Sequence, residues 1–117
     1  MTLCHRDMPY EMNACYMLCK MGCSVLNPEF RNTCEYPFPA GVDDCVSTVK
    51  WAHANRELLG VGDAVITSGG SGGGNLSIAT YLRALEMQGS DAARKLTQGI
   101  FSGVPFIRSS YVGVEKN

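Results

Sequence analysis

Ile66-Thr67-Ser68-Gly69-Gly70-Ser71-Gly72-Gly73-Gly74-Asn75-Leu76 is the stretch that decides how this chain is read. The apolar run Ala64-Val65-Ile66 leads into it, and Leu76-Ser77-Ile78-Ala79-Thr80-Tyr81-Leu82 leads out. A short strand-like run followed by a longer helical one makes the glycines a strand-to-helix turn. Gly69-Gly70-Ser71-Gly72-Gly73 fits G-x-S-x-G, the pattern of a nucleophile elbow. Such a turn is so tight that side chains two residues either side of the serine would strike neighbouring backbone, hence Gly69 and Gly73. Ser71 is expected in a strained conformation that pushes its hydroxyl out of the turn, which makes it the candidate nucleophile.

Other uses of a glycine-rich segment fit less well. A flexible Gly/Ser linker has this composition, but these glycines join a strand directly to a helix and leave no room for a domain boundary. A Walker A phosphate loop needs a lysine after the glycines, and none follows. A dinucleotide fingerprint needs glycine at i, i+2 and i+5. Counted from Gly70 the third position is Asn75, and counted from Gly72 it is Ser77.

The 117 residues suffice for one small domain with a core, not for two. Ten basic against eleven acidic side chains leave a formal charge of −1, which offers no electrostatic footprint for nucleic acid or an anionic membrane. Apolar runs fall far short of the ~18 residues of a membrane span, so no span is expected. Met1-Thr2-Leu3-Cys4-His5-Arg6-Asp7 lacks the layout of a signal peptide, and a cytoplasmic location is expected. All six cysteines (Cys4, Cys15, Cys19, Cys23, Cys34, Cys45) fall in the first 45 residues. Without a secreted context a disulfide framework is not implied, and the spacing matches no common zinc knuckle. Buried free thiols are the expected state, with no metal site.

In chain order, residues 8 to 21 read as a helix ended by Gly22, its methionines serving as core filler. Cys23-Ser24-Val25-Leu26 looks like a short buried strand, weakened further on by Pro28. Asn32 to Gly41 is a loop. Val42 to Leu59 is the clearest helix, ended by Gly60, with an apolar stripe of Val42, Cys45, Val46, Val49 and Ala52 or His53. Asp43 and Asp44 in its first turn complement the helix dipole and are not read as an acid/base or metal pair. Strand Ala64–Thr67, a helix from about Gly73 to Met87, one helical turn over Ala92–Leu96 and a strand over Gly99–Ile107 complete the chain. That alternation predicts an α/β fold of about three parallel strands, with the elbow at the C-terminal end of the middle one.

Ser68-Gly69-Gly70-Ser71-Gly72-Gly73-Gly74-Asn75-Leu76 resembles the elbow of the hormone-sensitive-lipase-like α/β-hydrolases. Glu29-Phe30-Arg31-Asn32 and Pro37-Phe38-Pro39-Ala40-Gly41-Val42-Asp43-Asp44-Cys45 resemble the segment that precedes the elbow in that family. Trp51 and the run His53-Ala54-Asn55-Arg56-Glu57-Leu58-Leu59-Gly60 fit as well. Within the family, the bacterial brefeldin A esterase type shares the Phe-Arg-Asn and Pro-Phe-Pro blocks and the triple glycine after the serine. The resemblance covers Cys15 to Phe106.

What this resemblance implies is a partial α/β-hydrolase domain over residues 1–117 that hydrolyses carboxylic esters through a Ser, Asp/Glu, His triad and an acyl-enzyme. The implied ligand is a small-molecule ester, with no cofactor. Ser71 matches the nucleophile, and Gly72 matches the residue whose backbone N–H forms half of the oxyanion hole. Gly69, Gly70 and Gly73 make the turn. The chain also departs from the pattern. Gly70 stands where the family usually carries an acid, and no HGGG-type segment is present upstream. No histidine follows Ser71, and the only later carboxylates are Glu86, Asp91 and Glu115. His5 and His53 both precede it, and His53 fits a structural role. The expectation is therefore an incomplete site, needing a complementing chain or segment as partner. The alternative is a catalytically inactive remnant acting through a partner.

Overall fold

A computed structural model of the protein describes residues 9–32, 34–103 and 105. The expected positions Cys4, His5 and Met8, and the end of the last expected strand (Val104, Phe106, Ile107), lie outside them. Two strands, β1 (Ile66–Gly70) and β2 (Gly99–Gly103), form a parallel two-stranded sheet in which Ile66 faces Gly99 and Gly70 faces Gly103. Between them run α4 (Gly72–Gln88) and α5 (Ser90–Leu96), the crossover that parallel neighbours require. β1 extends further into the glycines than its apolar residues alone suggest, because Gly69 and Gly70 continue the ladder.

α4 lies on one face of this sheet, and α2 (Ala40–Ala54) packs against α4 and α5. The α2 stripe is buried as its period predicts, at Val42, Cys45, Val46 and Val49. Val46 and Val49 meet Ala84, Ala93 and Leu96, with Val65, Tyr81 and Leu85 around them. Two ion pairs pin the start of α2. Asp43 accepts a hydrogen bond from Arg83 Nε of α4 at 2.8 Å, and Asp44 takes Arg31 Nε and Nη2 at 2.9 and 2.7 Å. The Arg31 guanidinium holds the Asp44 carboxyl below its ordinary value. The two acids thus tie the preceding loop and the elbow helix to α2, beyond complementing its dipole.

The expected helix Val42–Leu59 is in fact two. Asn55 leaves the helical region (φ −107°, ψ 18°), its side-chain amide donates to the Trp51 carbonyl at 2.8 Å, and α3 (Arg56–Leu59) restarts beyond it. An asparagine that bonds local backbone competes with helix continuation. Gly60 then closes α3 at φ 64°, as its position predicted.

The N-terminal third overturns three expectations. α1 (Pro9–Lys20) forms and ends at Gly22, but it packs against no other helix or strand among the described residues. Its methionines therefore fill no core: Met12, Met17 and Met21 are exposed. The thiols are not buried either. Cys19, Cys23 and Cys34 are exposed, Cys15 is half-buried, and Cys45 alone of those described is buried. The expected strand at Cys23–Leu26 is irregular instead, and β1 stands first, not in the middle, of the two described strands. A strand needs a ladder partner, and the described sheet consists of β1 and β2 alone.

Cys45 differs chemically from the other thiols. Burial pushes it up to about 11, against a smaller opposing effect of the Thr80 hydroxyl. The folded state thus keeps a proton that the unfolded chain loses from about pH 8.5. Its contribution to stability is full below that pH and is lost as pH rises towards 11. Brief alkylation of native protein is expected to modify Cys19, Cys23 and Cys34 and to spare Cys45 until denaturant is added. Peptide mass spectrometry reads this out, and equal labelling of Cys45 and Cys34 would refute the burial.

Candidate active site

Ser71 is the single residue between the end of β1 and the start of α4. Its backbone sits at φ 50°, ψ −116°, and it is the one non-glycine residue with positive φ among those described. Non-glycine residues pay about 1–3 kcal/mol for such a conformation, which persists only where the surroundings enforce it. They do so here from both sides. The Ser71 N–H donates to the Gly103 carbonyl at the end of β2 (2.8 Å), and the Ser71 carbonyl accepts from Asn75 N–H (3.1 Å) as the first bond of α4. The side chain makes no capping hydrogen bond, and the residue is exposed, so the hydroxyl is presented rather than consumed.

The glycines answer to measurable crowding. A Cβ on Gly69 would lie 2.4 Å from the Gly73 carbonyl carbon and 2.5 Å from its oxygen, so strand end and helix start touch backbone to backbone. Gly74 is similarly enclosed, by Ser102 Oγ at 2.8 Å, Gly69 O at 3.0 Å and Gly103 O at 3.1 Å. Gly72 meets nothing within 4 Å. Deeper in α4, Ser77 is fully buried and donates to the Gly73 carbonyl at 2.8 Å. Thr67 of β1, also fully buried, reaches the Ser77 carbonyl at 3.4 Å.

Two consequences follow for chemistry. The Ser71 N–H is committed to Gly103, so a negative oxygen beside Ser71 would be met by backbone N–H groups of the α4 first turn, starting at Gly72. These groups have no intrahelical acceptor and carry the positive end of a 17-residue helix. Second, no general base is assembled by the described residues. His53 is half-buried in the last turn of α2, with its Nδ1 buried and unpartnered among the described residues. Its carbonyl accepts from Arg56 Nη1 at 3.2 Å. His5 lies outside the described residues. An open groove lined by Tyr81, Arg94, Thr97, Gln98, Gly99 and Ile100 lies at the N-terminal end of β2, the opposite end of the parallel sheet from Ser71.

The sequence brought forward Ser71 and its glycines but not the groups that hold them. Gly103 and Ser102, whose hydroxyl donates to the Gly74 carbonyl at 2.9 Å, lie about thirty residues away. Only the parallel register brings them to the turn, and no local pattern marks them.

Comparison with known proteins bears on the fold. A family model described as alpha/beta hydrolase fold matches residues 2–109. An arylesterase of Saccharolobus solfataricus is 40% identical over 86 residues, 73% of this chain and 26% of that protein. Hormone-sensitive lipase of Mus musculus is 33% identical over 66 residues, 56% of this chain and 9% of that protein. A solved structure of brefeldin A esterase, described as a bacterial homologue of human hormone sensitive lipase, superposes with a TM-score of 0.77 at 34% identity. It covers 91% of this chain and 31% of its own. The chain thus spans about a third or less of the relatives it matches. With the elbow, the parallel pair and a family match over nearly its whole length, the chain belongs to the alpha/beta hydrolase fold family.

Proposed function

We propose that the chain carries the nucleophile segment of a carboxylic ester hydrolase that acts on small esters. Ser71 Oγ attacks the ester carbonyl, the alcohol departs with a proton, and water then releases the acid from the acyl-serine. The Gly72 N–H would receive the charge that develops on the carbonyl oxygen. The observation carrying this reading is the Ser71 backbone at φ 50°, ψ −116° between β1 and α4, with its hydroxyl exposed. Relatives named as esterases and lipases support the reaction class.

A second reading, a catalytically inactive remnant, is favoured by a different observation: the Ser71 hydroxyl has no hydrogen bond to a base among the described residues. Without a base a serine is a weak nucleophile, and loss of a triad member typically removes ~10⁴–10⁶ of rate. On the first reading the base and acid come from a complementing chain or segment.

Fluorophosphonate labelling followed by peptide mapping separates the two. The expected result is slow modification at Ser71, abolished in Ser71→Ala. A folded sample that stays unlabelled, while a complete relative labels under the same conditions, would leave only the remnant.

A further inference from the structure

We propose that Cys15 and Cys19 form a two-coordinate dithiol site for a soft, thiophilic cation, with Cu(I) as the ion whose chemistry fits. Both lie on α1, four residues apart, and both are free thiols, one half-buried and one exposed. On an α-helix this spacing rises about 6 Å and sets the two Cβ atoms roughly 5–6 Å apart on one face. With metal–sulfur bonds of about 2.3 Å, a linear S–M–S unit spans roughly 4.6 Å between sulfurs. Two such side chains reach that span by choice of χ1 alone.

The identity of the ion follows from the donors of the pair. Among the described residues no three His, Cys, Asp or Glu side chains converge to hold a metal. Two thiolates alone make a soft, low-coordinate donor pair, which suits Cu(I). Cys23 has the same spacing in sequence but not in space. Gly22 turns the chain at φ 85°, its N–H returning to Cys19 O at 3.0 Å and the Cys23 N–H to Leu18 O at 3.1 Å. That closing turn takes Cys23 off the face that carries Cys15 and Cys19. Binding replaces two S–H bonds by two S–Cu bonds, releases two protons to solvent and transfers no electron.

The site has a mechanical consequence. α1 has 12 residues and packs against no other element among the described residues, and at that length an isolated helix is marginal in water. A metal bridge from i to i+4 would staple it.

The test uses the full chain with Cys4→Ser, Cys23→Ser and Cys34→Ser, which leaves Cys15, Cys19 and the buried Cys45. Anaerobic titration with Cu(I) held by a bathocuproine chelator is expected to transfer one equivalent per chain, with a rise in helical circular dichroism. Adding Cys15→Ser or Cys19→Ser is expected to weaken binding by more than the roughly 10–100-fold that losing a metal's outer-shell partner costs. Unchanged affinity in either single variant would overturn the proposal. So would a Cys15→Ser, Cys19→Ser double variant of the otherwise native chain that takes up its first equivalent as tightly as before.

Discussion

Gly69→Ala is expected to cost the protein about 3 kcal/mol, and in so small a domain to leave much of it unfolded. The added carbon would lie 2.4–2.8 Å from three backbone atoms of Gly73, and backbone cannot rotate aside as a side chain can. Either β1 parts from α4 or the ladder between Gly70 and Gly103 breaks. Gly72→Ala is the matched control three residues on. Nothing lies within 4 Å of its added carbon, and alanine is the better helix former by about 1 kcal/mol, so stability should hold or rise. Urea unfolding of the two variants measures the contrast. Equal midpoints would show that the turn is not as crowded as the geometry makes it.

The second large effect concerns the serine. Ser71→Ala keeps a Cβ at φ 50°, whereas Ser71→Gly removes it, so the glycine variant is expected to be the more stable by about 1–3 kcal/mol. Both should lose fluorophosphonate labelling completely. Stability and reactivity would then move in opposite directions at one position, the signature of strain held at a functional residue. Identical unfolding curves for the two variants would remove strain from the account of Ser71.

The parts of this fold that were legible in sequence are those written in local periodicity or in glycine. The α2 stripe from Val42 to Val49, the termination at Gly22 and Gly60, and the strand–serine–helix turn all belong to that class. Cys23–Leu26 misled because four apolar-leaning residues carry no information about whether a neighbouring strand exists to receive them. The methionines and cysteines of α1 misled for a related reason: composition predicts burial only where a surface is available to bury against. Asp43 was legible as a helix-start charge. Its partner Arg83 was not, because forty residues separate them and only the packing of α2 on α4 makes them meet. The candidate site divides the same way, with the turn legible in one eleven-residue stretch and its supports Ser102 and Gly103 set by register alone.

β1 and β2 show α4 only one of their two faces. On the other, Ile66 is 53% exposed and Phe101, opposite Ser68, 70%, with no helix among the described residues across it. Parallel sheets are almost always covered on both faces. For the chain handled in solution, this makes encounter frequency the governing variable. Two molecules that meet face to face remove apolar area from water, and a net charge of −1 supplies almost no repulsion to keep them apart. Collisions of that kind grow with the square of concentration. The open sheet face thus adds to the exposed methionines of the N-terminal helix in limiting how concentrated the purified chain can be kept, and dilution is the direct remedy.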